Sequence, residues 1–176
     1  MRVTLLSSAA AAAILTVLTA MAAEKLPRPE FQAMSFLAGH CWKGTFPGTQ
    51  MTDEHCFSWV YGGRFMRDRH VVHRGAGQPD ALGETIYFWD SSARQLHYFY
   101  IESEGKFIRG TVANDGATLR FPESTYVEDG QEQSVRSQWK PVGEDAYDVV
   151  TEFRMGAEWK PGFNVHMRRS GPASEP

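Results

Sequence analysis

Apolar and polar residues alternate with a period of two along most of the chain beyond Leu37, in short runs rich in Val, Ile, Thr, Tyr, Phe and Trp. This alternation is typical of β-strands that bury one face. Turn-forming pairs separate the runs, among them Pro47-Gly48, Gly62-Gly63, Asp115-Gly116 and Asp129-Gly130. Because glycine adopts the positive φ that tight hairpin turns require, the pattern predicts about ten strands joined by short hairpins.

The short connections predict how these strands are arranged. Strands joined by tight turns are antiparallel neighbours, so the chain is predicted to form an up-and-down meander. An open meander would leave two unpaired edges, and closure into a barrel removes both of them. The predicted fold is therefore all-β, a closed antiparallel barrel, with a two-sheet sandwich as the alternative. A barrel of this size can enclose a cavity for one small ligand.

One short helix is predicted ahead of the first strand. Over residues 30–37, Phe31, Met34 and Leu37 would share one side of such a helix. No second domain is evident, so residues 24–176 are predicted to form a single barrel domain. The tail from Ser170 to Pro176 is expected to be disordered.

Residues 1–23 have the order of a secretory signal peptide. Arg2 supplies a positive start, residues 3–20 contain no charge, and residues 20–23 offer the small side chains at which cleavage occurs. An uncleaved membrane anchor is the alternative, since an apolar stretch of this length could just span a bilayer. The Ser and Thr residues within the stretch favour cleavage. We therefore predict a periplasmic or secreted protein whose mature form has no transmembrane span.

Composition and motifs exclude several classes of function. The chain has 18 Lys and Arg residues against 21 Asp and Glu residues, for a net charge of −3. Nucleic acids and anionic membranes attract clustered basic residues, so no nucleic-acid partner is expected. The sequence contains no G-x-x-x-x-G-K loop, no G-x-G-x-x-G motif and no G-x-S-x-G elbow. A serine hydrolase nucleophile thus has no support, and no catalytic residue is predicted.

The first hairpin predicts a disulfide. If Pro47-Gly48 forms its turn, Trp42 faces His55 and Cys41 faces Cys56. This register separates apolar from polar side chains, as a half-buried strand pair requires. Opposed Cα atoms lie about 4.5–5.5 Å apart, within or near disulfide range, and cysteines of exported proteins usually pair. We predict a Cys41–Cys56 disulfide, with two free, half-buried thiols as the alternative.

The same register, continued through the next glycine turn, brings histidines together. His55 then opposes His70, and His40, His55 and His70 all point to the aromatic face beside Asp53 and Asp68. Three imidazoles from adjacent strands can bind Zn²⁺ and leave a fourth position open. Ordinary hydrogen bonding between His and Asp in a polar patch of the lumen is the alternative. A slip of one residue in either hairpin would remove the arrangement altogether.

Aromatic residues supply the candidate ligand-binding surface. Residues 85–90 and 96–101 are aromatic on both faces of their strands. Such rings either fill the core or line a cavity, where hydroxyl and indole N–H groups orient a ligand. The predicted lining residues are Trp42, His55, Phe57, Trp59, Met66, His70, Tyr87, Trp89, Tyr98 and Tyr100.

Short motifs give the chain a family resemblance. The string FLAGHCWKG at residues 36–44 resembles the F-L-x-G-x-W-x-G opening of bacterial lipocalin-like barrels of unknown function, the DUF1579-type family. Residues 61–65, 83–90 and 121–123 are also similar to that family, and nitrobindin-like haem barrels are more distantly similar. The resemblance implies a ten-stranded barrel without a settled activity. In nitrobindin-like proteins a histidine near the C-terminus binds haem, and His166 occupies a comparable place. If Phe163, Val165 and Met167 fill the core, however, His166 faces water.

The leading prediction from the sequence is an exported, non-enzymatic barrel without a cofactor that binds a small apolar or amphipathic molecule in its lumen. A metal- or haem-dependent activity through His40, His55 and His70, or through His166, is the first alternative. A structural or partner-binding envelope protein that uses an exposed apolar patch is the second. The protein is expected to be a monomer or a homodimer.

Overall fold

The computed structural model describes residues 28–173, which form a closed antiparallel barrel of ten strands. Each strand pairs with the next along the chain, and the first strand closes the barrel against the last. The strands are β1 (His40–Thr45), β2 (Thr52–Val60), β3 (Phe65–His73), β4 (Ala81–Asp90), β5 (Gln95–Glu102), β6 (Phe107–Asp115), β7 (Thr118–Glu128), β8 (Gln131–Pro141), β9 (Ala146–Met155) and β10 (Glu158–Pro172). The all-β, up-and-down barrel is confirmed, and the sandwich alternative is wrong.

The first three strands have the predicted registers. Cys41 lies opposite Cys56 and Trp42 opposite His55, and His55 lies opposite His70 in the next pair. The Cys41–Cys56 disulfide is present, with the two Cα atoms 4.0 Å apart. The tight turns and the burial of one strand face together determine this register. A slip of one residue would move every buried side chain to the solvent face.

A 3₁₀-helix over Pro29–Met34 closes one end of the barrel. The Leu37 N–H continues its three-residue bonding pattern by donating to the Met34 carbonyl at 3.0 Å. Phe31, Met34 and Leu37, which were predicted to share one side, are all fully buried. Their spacing of three residues matches the 3₁₀ repeat, in which residues i and i+3 lie above one another. The helix is therefore shorter and tighter than the predicted span of residues 30–37.

Fully buried residues form a packed layer beneath this helix. They are Trp42, Phe57, Met66, Leu119, Tyr147 and Met167. The Trp42 indole N–H donates to the Leu37 carbonyl at 3.2 Å and so ties the layer to the helix segment. The helix lies at the end that holds the β2–β3 turn, since the Arg28 N–H donates to the Gly63 carbonyl at 3.4 Å. Among the described residues, no helix covers the opposite end.

Two terminal predictions have different outcomes. β10 continues to Pro172, and His40 pairs with that residue, so the disorder expected from Ser170 onward is wrong for the first residues of that tail. Pairing with β1 orders them because it closes the barrel and supplies backbone hydrogen bonds. The predicted signal peptide, residues 1–23, lies outside the described residues. Between residues 28 and 173, no helix is long and apolar enough to cross a membrane.

Candidate ligand-binding cavity

A cavity of about 290 Å³ lies inside the barrel, between the packed layer and the end that no helix covers. Its aromatic lining consists of Tyr87, Tyr98, Tyr100, Phe121, Tyr126, Trp139, Phe153 and Phe163. Its polar lining includes Asp53, His55, Asp68, His70, Thr85, Ser137 and Thr151. The volume is just below the usual range of small-molecule sites, about 300–1,000 Å³, so the cavity suits only a small ligand.

Two adjacent strands supply the ionisable part of this lining. Asp53 and His55 are two residues apart on β2, and Asp68 and His70 are two residues apart on β3. Residues two apart on a strand share one face. Because His55 lies opposite His70, all four side chains meet inside the barrel. We call these four residues the His–Asp cluster.

Each nitrogen of the His55 ring faces a carboxylate. Nδ1 lies 2.8 Å from an oxygen of Asp68, and Nε2 lies 3.3 Å from an oxygen of Asp53. The second oxygen of Asp53 lies 2.5 Å from Nε2 of His70. The Tyr100 hydroxyl is 3.4 Å from Nδ1 of His70. A carboxylate only accepts hydrogen bonds, so His55 satisfies both acceptors as an imidazolium.

These contacts also set the charges of the cluster. Burial by itself would lower the pKa of His55, but the charges of Asp68 and Asp53 outweigh it and raise that pKa well above its ordinary value. Burial would raise the pKa of Asp53, but His55 and His70 outweigh burial and hold that pKa below its ordinary value. At neutral pH the cluster therefore contains a protonated imidazole between two carboxylates.

Three tyrosines place hydroxyl groups along the cavity. Burial raises the pKa of Tyr87, Tyr98 and Tyr100, and the charge of Asp68 adds to the effect at Tyr87 and Tyr100. The phenols thus keep their protons and act as hydrogen-bond donors. The Tyr98 hydroxyl lies 3.0 Å from the Ser124 hydroxyl.

Two glycines make room for these rings. A Cβ atom on Gly83 would lie 2.6 Å from the Tyr100 ring, and one on Gly110 would lie 2.8 Å from the Tyr98 ring. Both distances are far shorter than a normal carbon–carbon contact of about 3.5–4.0 Å. Glycine at these strand positions therefore lets the two tyrosines lie across the wall of the cavity.

The structure does not bring His40 to the other two histidines. Its ring lies 6.1 Å from that of Trp42. Burial and the neighbouring Arg169 guanidinium lower the pKa of His40. Among the described residues, the donor atoms close enough to share one ion with His55 and His70 come from Asp53. The predicted three-histidine site is thus reduced to two histidines and a carboxylate.

This donor set does not fit a single metal ion as it stands. The rings of His55 and His70 are stacked, with centroids 4.2 Å apart and planes 10° apart. An imidazole lone pair lies in the plane of its ring, so a metal ion bound at about 2.0–2.1 Å must lie close to that plane. Two stacked rings have separate planes and cannot both meet this condition. The two oxygens of Asp53 can bridge the stack, because each accepts a hydrogen bond from a different ring.

His166 lies away from the cavity. It is exposed on the outer face of β10, where its Nδ1 lies 2.6 Å from an oxygen of Asp148. The neighbouring Val165 and Met167 are buried, as the alternation along the strand indicated. His166 therefore does not fit a haem inside the barrel.

The predicted lining residues divide according to their distance from the helix. His55, His70, Tyr87, Tyr98 and Tyr100 line the cavity. Trp42, Phe57 and Met66 belong to the packed layer instead. Trp59 and Trp89 are partly buried and pack against the hydrophobic core. Phe57 and Trp59 follow His55 toward the β2–β3 turn, where the helix fills the barrel. These five residues face inward at the closed end and are not among the residues that line this cavity.

The far wall of the cavity consists of residues that the sequence patterns did not indicate. Phe121, Trp139, Thr151, Phe153 and Phe163 come from β7 to β10. The alternation within each of these strands shows which of its residues share a face. It does not show how the strands are aligned with one another, so these residues could not be assigned to the cavity.

A wider groove lies on the outer surface of the barrel. Its volume is about 700 Å³, and it is lined by outward residues of β4 to β6 that include Phe88, Phe99, Phe107 and Arg109. This is the kind of exposed apolar patch that a partner-binding protein would use. The inner cavity differs from it in combining aromatic walls with the buried charges of the His–Asp cluster.

Comparison with known protein families finds no family model that matches the chain, and comparison with curated proteins finds no match. The function must therefore be argued from the cavity.

Proposed function

We propose that this protein is a binding barrel that holds one small amphipathic molecule in its inner cavity. The observation that carries the proposal is the chemical division of the cavity. Its His–Asp cluster lies against the packed layer. The His55 ring is stacked on the Phe57 ring, with the two ring centroids 5.9 Å apart. The cluster lies on β2 and β3, and the aromatic walls come from β4, β5 and β7 to β10. An amphipathic ligand would place its polar end at the cluster and its apolar part against the rings.

The rings support this role because they are already packed against one another. The Phe121 and Trp139 rings lie 4.7 Å apart, and the Tyr98 and Phe121 rings lie 5.7 Å apart. A preformed apolar wall loses little conformational entropy when it binds a ligand.

The hydrogen bonds of the cluster favour binding over catalysis. Both nitrogens of His55 and both of His70 face a carboxylate or the Tyr100 hydroxyl. A general base needs a nitrogen within reach of the substrate proton. The raised pKa of Tyr100 also disfavours a tyrosinate nucleophile.

Two further parts of the proposal concern family and location. The ten-stranded barrel supports membership of the lipocalin-like family that residues 36–44 resemble. The Cys41–Cys56 disulfide supports export, because disulfides persist in oxidising compartments. N-terminal sequencing of protein from the periplasm or medium tests export, and a chain that begins at Glu24 is the expected result. A chain that keeps residues 1–23 would reject the proposed cleavage.

Isothermal titration calorimetry with phenethyl alcohol, a small amphipathic probe, tests the binding role. We expect saturable binding of one molecule per chain. Thr151→Phe places a ring in the cavity and should abolish binding, because Thr151 is buried and lines it. Val150→Phe is the matched control, since the neighbouring residue on a strand points to the opposite face. Equal binding by both variants would reject the proposal, as would a wild type that binds neither this alcohol nor the amine of the same frame.

A further inference from the structure

The His–Asp cluster places two carboxylates at one side of the cavity. Asp53 and Asp68 are two carboxylates, and the His55 imidazolium lies between them. The Nε2 atom of His70 lies 2.5 Å from the other oxygen of Asp53, so three of the four carboxylate oxygens of the cluster contact an imidazole. Charges interact strongly inside a protein because the local dielectric constant is low. The polar end of the cavity is thus complementary to a positive charge.

Two basic residues of the cavity lining are paired with acids outside the His–Asp cluster. They are Lys106 and Arg136. Lys106 lies 2.8 Å from a carboxylate oxygen of Glu128, and Arg136 lies 2.7 Å from one of Glu152. Each positive charge is therefore offset locally by an acid.

One oxygen of Asp68 has no hydrogen-bond partner. Oδ2 accepts from His55, whereas Oδ1 is buried and unpartnered. The described residues contain other buried side-chain atoms without a partner. Of these atoms, Oδ1 of Asp68 alone belongs to a residue that lines the cavity. A buried acceptor without a donor is costly, by about 1–3 kcal/mol or more for a charged group. An ammonium group offers both a positive charge and three donors, whereas a carboxylate offers neither.

The aromatic lining favours the same chemistry. The rings of Tyr87, Tyr98 and Trp139 surround the space beside Asp68 and His55. Aromatic faces attract cations, and the attraction increases when the cation is removed from water.

From these four observations we infer that the cavity selects a small organic amine in its protonated form and excludes a carboxylate of the same size. The inference rests on the proposed binding function and names the chemical class of its ligand. A cavity of about 290 Å³ restricts the choice to small amines.

The test compares three probes that share one phenylethyl frame and differ at its polar end: phenethylamine, phenethyl alcohol and phenylacetate. Calorimetry is performed on the mature protein at pH 7 and low salt. Phenethylamine should bind about tenfold more tightly than the alcohol, and phenylacetate more weakly than either. If phenylacetate binds as tightly as the amine, or the alcohol binds best, the inference is overturned while the proposed function stands. If none of the three binds, the proposed function fails and the inference fails with it.

A variant pair identifies the carboxylate responsible. Asp68→Asn should lower the preference for phenethylamine over phenethyl alcohol by about tenfold. Asp148→Asn is the control, because it makes the same change beside His166 on the outer surface. An amine preference that survives Asp68→Asn would overturn the role of Asp68. If that variant does not fold, the ranking of the three probes on the wild type decides.

Discussion

At the scale of single residues, the cavity depends on how one imidazole is shared between two carboxylates. His55 lies 2.8 Å from Asp68 and 3.3 Å from Asp53. Buried ion pairs contribute little when complete, but removal of one partner leaves an uncompensated charge in a low-dielectric interior. The cluster is therefore expected to be sensitive to the loss of any one member.

The first prediction concerns Asp68, which is completely buried. Asp68→Ala should lower the free energy of unfolding by about 3–5 kcal/mol, because His55 loses its closer counter-charge. Asp148→Ala removes the exposed partner of His166 and should cost less than about 1 kcal/mol. Urea unfolding of both variants measures the difference. Equal losses would mean that the His–Asp cluster is no more important than a surface pair.

The second prediction concerns pH. The pKa of His55 is raised from an ordinary value of 6.5, so its contribution to stability is complete below that pH and is lost as pH rises through the folded value. The pKa of Asp53 is lowered from 3.8, so its contribution is complete above that pH and is lost as pH falls. Both contributions are present together between these two values.

Urea unfolding as a function of pH measures the effect. Above pH 6.5 the free energy of unfolding of the wild type should fall by up to about 1.4 kcal/mol per pH unit, because the proton on His55 is lost. In His55→Gln the free energy of unfolding should be lower at every pH, but it should not show this additional fall above pH 6.5. Parallel profiles for the two proteins above pH 6.5 would contradict the raised pKa of His55.

Residue patterns predicted the His–Asp cluster of the cavity but not the aromatic wall opposite to it. Asp53, His55, Asp68 and His70 were placed together because two tight turns fix the register of β1 to β3. Trp139 and Phe121 were missed because the β7–β8 register shifts between Phe121 and Ser124. A bulge of this kind adds a residue to one strand, and simple alternation does not reveal its position.

At the scale of elements, the first hairpin is held together covalently. The Cys41–Cys56 disulfide closes a segment with a sequence separation of 15 and joins β1 to β2. A disulfide stabilises mainly by restricting the unfolded chain. β1 also closes the barrel by pairing with β10, so the disulfide strengthens the strand at which the barrel closes.

The third prediction tests this contribution. The double variant Cys41→Ser, Cys56→Ser should lower the free energy of unfolding by about 3 kcal/mol, the value expected for a closed loop of this length. Reduced wild-type protein is the control and should unfold at the same urea concentration as the variant. An oxidised wild type no more stable than the variant would show that the disulfide adds nothing.

The helix illustrates how an element can be predicted with the wrong geometry. The apolar positions Phe31, Met34 and Leu37 correctly indicated a buried side. Their exact three-residue spacing fits a 3₁₀-helix better than an α-helix with 3.6 residues per turn. Burial of these side chains against the barrel end, where the Phe31 and Trp59 rings lie 5.5 Å apart, favours the tighter form.

At the scale of the whole molecule, the barrel has one filled end and one hollow end. The helix and the layer around Trp42 fill the first, and the cavity occupies the second. The sequence predicted the closed barrel because turn signals occur at short intervals. It did not predict which inward residues would pack and which would line a cavity, since both kinds are aromatic and both face inward.

The most direct test of the binding role is a titration of the indole N–H signals by nuclear magnetic resonance, with phenethylamine as the probe. Trp139 lines the cavity, whereas Trp89 packs at the filled end. Replacement of each tryptophan by phenylalanine assigns its signal. We predict that the Trp139 signal shifts and saturates while the Trp89 signal stays in place. An unchanged Trp139 signal, or equal shifts at both indoles, would contradict ligand binding in the inner cavity.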